Sequence, residues 1–385
     1  MKIAKVESFV VRGSHYVLIE TDDGVVGVGQ SACWGYPEAT DQVIGRFAQY
    51  LVGQDPMRIE HHGEYLYRMA PFRGSVLSGA VSAVDIALWD IKGKALGVPV
   101  WQLLGGKTRE RVRLHLLMGG TTTEDLVGTA VASVEQGFTA LKFDPFTAEY
   151  ADLGQDALVR SVVERVGAVR EAVGPDVDLL IELHRKLRPN QAYPVIEAIM
   201  PFHALFYEDP VQIDSIVAQG EIAARLTAPI GNGERMHTIW EFRELLVGGG
   251  AQYVRPDVGL AGGLTHCKKI AAIAESFHAV VATHNFLGPL LTAASATLDL
   301  TIPNFAVQEY AIRDEEEGLH PVVSSFRREG GYLVPSDDPG LGVEFDRELA
   351  VQRSAEDPGD GTIDIINRKV LDLPLRADGS VAYSV

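Results

Sequence analysis

Three stretches decide the fold: DLLIELH (178–184), LFYEDP (205–210) and PIGNGE (229–234). Each is a short, largely apolar run that carries a carboxylate at or near its end, and Glu182, Glu208 and Glu234 recur at intervals of 26 residues. An interval of that size holds one strand, one loop and one helix, the repeat of a β/α unit. Five further runs share the texture: VRLHLL (112–117) and ALKFDP (140–145) before them, and YVRPD (253–257), VVATHN (280–285) and FAVQEY (305–310) after them. Their near-continuous hydrophobicity suits parallel strands covered on both faces, and eight such units predict a closed barrel. The intervening stretches are helical in period; Leu264, Cys267, Ala271, Ala274 and Phe277 fall along one stripe, with Gly262 and Gly263 as a tight turn into it. The rival, an open doubly wound sheet, lacks its Gly-rich phosphate turn after the first strand.

Before the barrel, VESFVV and YVLIET alternate with a period of two, and Asp23-Gly24 supplies a turn pair, so the N-terminal 30 residues read as an antiparallel sheet. From Pro37 to Leu104 the period becomes helical, through EATDQVIGRFAQYLVG, RIEHHGEYLYRMA and SVLSGAVSAVDIALWDIKGKALG. Trp89 and Asp90 in the last of these are read as packing. The expected organisation is an α+β unit over residues 1–111, a β/α barrel over 112–324, and a turn-rich segment, 325–385, that packs back on the first unit and ends in a short hairpin around Asp378-Gly379.

The 385 residues, 46% of them hydrophobic, are enough for one large core and a smaller one, which excludes a small binding module or a disordered chain. A net charge of −18, from 34 basic and 52 acidic residues, repels nucleic acid and anionic lipid, so neither is an expected partner. Cys33 and Cys267 have no neighbouring cysteine with which to form a zinc knuckle or redox pair, and no apolar run reaches the 18 or so residues of a membrane span. A soluble protein of the reducing cytoplasm is the expectation.

In a β/α barrel the C-terminal ends of the strands form the reactive face. Here they carry Lys142, Asp144, Glu182, His184, Glu208, Asp209, Glu234, Asp257, His284 and Glu309. Glu182, Glu208 and Glu234 are expected at one level of three adjacent strands. Like charges about 5 Å apart at an effective dielectric of about 20 cost roughly 3 kcal/mol per pair, so the three need a hard cation, Mg²⁺ above all, unless one is protonated or each is separately salt-bridged. Asp257 and His284 end adjacent strands, where the carboxylate can orient the imidazole as a base; a histidine merely hydrogen-bonded in a loop fits the spacing equally. Strand alternation aims His184 at the cavity of Glu182. Lys142 and Lys186 have the reach to bind a substrate carboxylate or hydroxyl, although each fits a solvated loop cation equally, and Arg185 reads as a solvated loop cation.

These residues resemble the enolase superfamily, specifically its mandelate racemase branch and, within it, acid sugar dehydratases of the galactonate dehydratase type. The resemblance extends over roughly residues 1–345 and includes IETDDGVVGVG, LVGQDP, ALWDIKGKALGVPVWQLLGG, FYEDP, NGERM, RPDVGLAGGLTHCKKIAAIAE and THNFLGPLLTAAS. It implies a (β/α)₇β modified TIM barrel of α/β class under an α+β capping domain, and a homo-oligomer between dimer and octamer. It implies Glu182, Glu208 and Glu234 as Mg²⁺ ligands, His284 with Asp257 as base, His184 as acid and Glu309 as the carboxyl group near the enolate. Three departures stand out: Glu182 replaces the more usual Asp, Lys142-Phe143-Asp144 lacks the second lysine of the two-base racemases, and Arg185-Lys186-Leu187 replaces Gly-Arg.

The expected reaction is Mg²⁺-dependent β-elimination of water from a sugar acid (aldonate). Mg²⁺ holds the carboxylate, His284 removes the C2 proton, His184 protonates the departing 3-hydroxyl, and Lys142 and Glu309 stabilise the enediolate on the way to a 2-keto-3-deoxy acid. Epimerisation or lactone cycloisomerisation through the same enolate is the rival chemistry, and a catalytically silent sugar-acid binding protein the rival class. Specificity is expected from capping-domain residues Trp34, Tyr36, Phe72 and Arg73.

Overall fold

The computed structural model describes residues 1–316, 318–356, 362–363, 368–369 and 375–382. An antiparallel sheet of β1 (Ile3–Val11), β2 (Ser14–Thr21) and β3 (Val26–Ser31) opens the chain, followed by α1 (Pro37–Leu51), α2 (Ile59–Arg68) and α3 (Ser75–Leu96). Fourteen of the 22 residues of α3 are buried, because it is walled by the sheet on one side, by α1 and α2 on another, and by the barrel on a third. A helix apolar nearly all round can only persist in such a position. Its approach to β3 is close: a Cβ at Gly27 would lie 2.1 Å from the Ala87 carbonyl oxygen, and one at Gly29 1.9 Å from that of Ala83. The glycines of GVVGVGQ therefore let a strand lie directly on a helix backbone. Asp90, fully buried, accepts from the Val28 and Leu341 amides (3.0 and 2.9 Å) and from Lys94 (2.7 Å), tying sheet, helix and C-terminal segment together.

After the single turn α4 (Val100–Leu103) come eight parallel strands: β4 (Val112–Met118), β5 (Ala140–Phe143), β6 (Asp178–Glu182), β7 (Phe206–Glu208), β8 (Ile230–Asn232), β9 (Tyr253–Val254), β10 (Val280–Thr283) and β11 (Phe305–Tyr310). They pair in sequence, and β11 pairs with β4, so the barrel closes. Seven helices alternate with them: α5 (Thr123–Glu135), α6 (Gln155–Val173), α7 (Pro189–Ile199), α8 (Ile216–Arg225), α9 (Ile239–Val247), α10 (Gly263–Ser276) and α11 (Pro289–Asp299). Among the described residues no α-helix follows β11 before the C-terminal segment, which gives the (β/α)₇β form. Ala140, Leu180, Phe206, Ala282 and Val307 pack together from five of the strands, while larger apolar layers lie between strands and helices. On α10 the expected stripe holds for Leu264, Cys267, Ala271 and Ala274, but Phe277 is 45% exposed, because the helix ends at Ser276 and the chain turns away. No helix among the described residues is long and apolar enough to cross a membrane.

The segment expected to rest on the first unit divides between both. β12 (Val322–Ser324) pairs with β15 (Val343–Phe345), and α12 (Arg347–Ala355) lies on β1, where Ser354 donates to the Val10 carbonyl (2.7 Å). The hairpin of β13 (Arg327–Glu329) and β14 (Tyr332–Val334) instead joins the barrel, pairing with the start of β4. The turn at Asp378-Gly379 closes with Leu375 opposite Val381, and the Ala377 amide donates to Asp152 in the barrel domain (3.0 Å).

Because β3 leaves no room above Gly29, Gly29→Ala must push strand and helix apart, at a cost of roughly 1–3 kcal/mol. A lowered thermal unfolding midpoint is the expected result; an unchanged midpoint would mean that the contact yields freely.

Candidate active site

Glu182 and Glu208 face each other in register across β6 and β7. Glu234 does not share that level within a strand, as sequence spacing had implied. Gly231 is the register partner of Glu208, and β8 ends at Asn232. Gly233, at φ +126°, makes a turn that L side chains rarely adopt, and Glu234 lies just beyond it. One oxygen from each of the three carboxylates lies within 4.8 Å of the others, and the side chains are 0%, 0% and 4% exposed.

So dense a cluster of acids requires cations, and the fold supplies four. Lys142 from β5 reaches Glu182 (3.0 Å), Glu208 (3.1 Å) and Glu309 (2.8 Å). Arg255, fully buried, bridges Glu208 and Glu309 and donates to the Ala282 carbonyl (3.1 Å). Arg185 pairs with Asp209 and with Glu234 (2.7 Å), and Arg235 also donates to Glu234 (3.0 Å). Arg185 is thus a buried structural cation, 3% exposed, and not the solvated one expected from its place in a loop. Arg255 was not foreseen at all, although YVRPD places it two residues before Asp257, on the same face of an extended chain.

Glu182, Glu208 and Glu234 offer only carboxylate oxygens to anything bound between them. The all-oxygen donor set fits a hard cation. Burial pushes all three carboxyl groups of the triad up. For Glu182 the charges of His184 and Lys142 outweigh burial, and for Glu234 those of His284 and Arg185 do so, leaving both below the ordinary range. Glu208 stays raised, since burial and the charge of Glu182 exceed the pull of Arg255 and Lys142.

Asp257 and His284 bridge in parallel just past β9 and β10. The imidazole Nδ1 lies 2.7 Å from Asp257 Oδ2, and Nε2 lies 3.3 Å from Glu234 and 4.0 Å from Glu309. Burial lowers the basicity of His284, but Glu234, Glu309 and Asp257 reverse this and raise it above the ordinary imidazole value. The second oxygen of Asp257 accepts the Gly259 amide (2.7 Å), which fixes the carboxylate. One nitrogen of His284 is therefore held and the other faces the triad, the arrangement of an oriented general base.

His184 reaches the site by a different route from strand alternation. β6 stops at Glu182, and His184 and Arg185 both adopt left-handed backbone (φ 46° and 59°). The His184 amide donates to Glu182 (2.8 Å) and its ring Nδ1 meets Asp144 Oδ2 at 2.6 Å. Lys186 also pairs with Asp144, with its ammonium over the rings of Phe146 and Tyr150. On the capping side Trp34 carries the Arg235 guanidinium over its face and meets Phe286 edge-on, and Phe286 in turn meets His284. Arg73 lies elsewhere: it stacks on Tyr67 beside His237 and bonds to the carbonyls of Ala70 and Phe72. Tyr36 and Phe72 project into solvent, 64% and 82% exposed.

Residues 6–105 match the mandelate racemase / muconate lactonizing enzyme N-terminal domain, and residues 125–349 the enolase C-terminal domain-like family. A D-galactonate dehydratase of Ralstonia nicotianae is 37% identical, over 89% of this chain and 91% of its own. One from Cronobacter sakazakii is 35% identical, over 99% of this chain and all of its own. Among solved structures, an enolase of Agrobacterium radiobacter with bound sodium and L-malate superposes with a TM-score of 0.88 at 29% identity, over the whole of both chains. The 3,6-anhydro-D-galactonate cycloisomerase of Zobellia galactanivorans does so with 0.83 at 28%, over 92% of this chain and 99% of its own.

Glu208→Gln or Glu234→Gln keeps the shape of the triad but removes one of its charges. Each is expected to eliminate divalent-ion binding in titration calorimetry while circular dichroism shows the fold retained. Undiminished binding in both variants would dissociate the ion from this cluster.

Proposed function

The chain belongs to the mandelate racemase/muconate lactonizing enzyme family of the enolase superfamily, and from that footing we propose that it is a hydro-lyase that dehydrates a sugar acid. The product is a 2-keto-3-deoxy acid, and Mg²⁺ held by Glu182, Glu208 and Glu234 is the proposed cofactor. One observation carries the reading: two histidines, each with Nδ1 held by an aspartate, flank the same buried triad. β6 and β10 are four strands apart in a ring of eight, so His184 and His284 rise from opposite sides of the barrel mouth.

The α-hydrogen of a carboxylate is very weakly acidic, because its removal creates an enediolate with two negative charges. Bound Mg²⁺ supplies positive charge where that second charge develops. The remaining work falls to the protein. His284 accepts the C2 proton at Nε2, with Asp257 holding Nδ1 so that the accepting nitrogen is the one that faces the substrate. Lys142 and Arg255 keep Glu309 ionised and fixed beside the triad; burial pushes that carboxyl up, and these two cations bring it below the ordinary range. His184 delivers a proton to the departing 3-hydroxyl, which leaves as water. Asp144 in place of a second lysine removes the base that racemisation would need at that strand end.

A screen of C4 to C6 mono- and diacid sugars with Mg²⁺, detecting 2-keto-3-deoxy products, tests the activity. Turnover is expected to vanish in excess EDTA and return with Mg²⁺; full activity in EDTA, with no metal found by elemental analysis, overturns the role of the ion.

The two histidines separate in D₂O. His284→Asn is expected to lose both C2 deuterium exchange and dehydration. His184→Asn keeps exchange, once the proton on the base equilibrates with solvent, and loses dehydration by roughly 10²-fold or more. Equal loss of exchange in both variants, with substrate and Mg²⁺ still bound, contradicts the division of roles.

A further inference from the structure

Asp144 occupies the end of β5 with its carboxylate held at both oxygens. Oδ1 accepts the Phe146 amide (2.8 Å), and Oδ2 meets His184 Nδ1 (2.6 Å) and the Lys186 ammonium. Burial pushes this carboxyl up, but the hydrogen bond from His184 and the charge of Lys186 outweigh it, so Asp144 sits below the ordinary range. It is therefore an ionised acceptor facing one nitrogen of the imidazole, and Nε2 has no protein partner among the described residues.

The backbone is bent to make this contact. Two consecutive non-glycine residues, His184 and Arg185, stand in the left-handed region, where each costs roughly 1–3 kcal/mol. The turn is locked around them: the Arg185 amide donates to the Asp209 carbonyl (2.8 Å), Gln212 donates to the Arg185 carbonyl (3.0 Å), and the Lys186 amide returns to Leu183 (3.0 Å). The Arg185 side chain is anchored on Asp209 and Glu234. Strain so thoroughly fixed by surrounding bonds points to a required side-chain position.

We infer that Asp144 is the positioning residue of His184: it accepts from Nδ1–H and so turns Nε2 to the substrate, as Asp257 does for His284, and the proton that His184 gives to the departing hydroxyl is the one on Nε2, which leaves the neutral ring protonated at Nδ1. Lys186 holds the Asp144 carboxylate in place rather than contacting substrate. The inference rests on His184 being the acid of the proposed dehydration, and it assigns Asp144 a role that acts only through that ring.

The test uses full-length, Mg²⁺-loaded protein with D-galactonate and its C4 to C6 homologues as probes. Asp144→Asn and Asp144→Ala are expected to lower dehydration roughly 10²-fold, with C2 deuterium exchange reduced less than about threefold, so that the ratio of the two moves as it does in His184→Asn. In the His184→Asn background, Asp144→Ala should cost no more than about a further twofold. An unchanged ratio, or additive losses, means that Asp144 is merely structural. The isosteric Asn variant keeps the test open if Ala disturbs folding, which the thermal midpoint reports. Histidine-¹⁵N spectra read the position without turnover. The His184 signal, identified by its absence in His184→Asn, should show the neutral ring protonated at Nδ1 in the wild type and shifted toward the Nε2-protonated form in Asp144→Ala. The same tautomer in both overturns the inference. Wild-type protein that dehydrates none of the acids overturns the proposed reaction instead, and the spectra still decide the position of the ring.

Discussion

Mutual repulsion among carboxylates taken out of water is the constraint around which the barrel mouth is organised. Lys142 on β5 spans to β6, β7 and β11, and Arg255, just past β9, spans to β7, β10 and β11. Two cations thus tie together most of the ring across its interior, at the level where a barrel without a site would place another apolar layer. Buried ion networks of this kind seldom match well-packed hydrocarbon in stability. Cohesion has to come from elsewhere, from the apolar residues inside the ring and between strands and helices, and the network persists for what it holds in place.

The same balance reconciles an acidic protein with an anionic substrate. A net charge of −18 works against the approach of a sugar acid. The groups around the triad that still reach solvent include His184, Lys186 and Arg235, with side chains 26%, 13% and 27% exposed. An anion approaching the mouth meets these side chains rather than the acidic surface as a whole.

Much of this architecture was legible because strand periodicity and strand-end chemistry are local properties. All eight runs became barrel strands, and Glu182 and Glu208 share one level across adjacent strands, as their 26-residue spacing implied. What could not be read depended on backbone turns or on partner choice. Gly233 swings Glu234 out of the simple register, and nothing in PIGNGE states its φ. Left-handed geometry at His184 and Arg185 sends one ring to Asp144 and one guanidinium into the interior, whereas periodicity assumes that the strand continues. Trp34 and Arg73 read alike in the sequence, as an aromatic and a cationic residue in capping-domain loops, and only tertiary packing sends one toward Phe286 and His284 and the other toward Tyr67 and His237.

The turn that follows Asp257 is shared property of two domains. Ala32 of the capping sheet donates to the Gly259 carbonyl (2.8 Å), Ser78 of α3 donates to that of Leu260 (2.7 Å), and Ser82 accepts the Gly262 amide (2.8 Å). Gly259 leaves so little space that any Cβ there would lie 2.9 Å from Ala32. The carboxylate that orients His284 is thereby seated on residues encoded some 180 to 230 positions earlier. A chimera between relatives that exchanges the capping domain at its apparent boundary would separate the two halves of this seat; the smallest unit that can be transplanted intact is the first hundred residues together with the 257–265 turn.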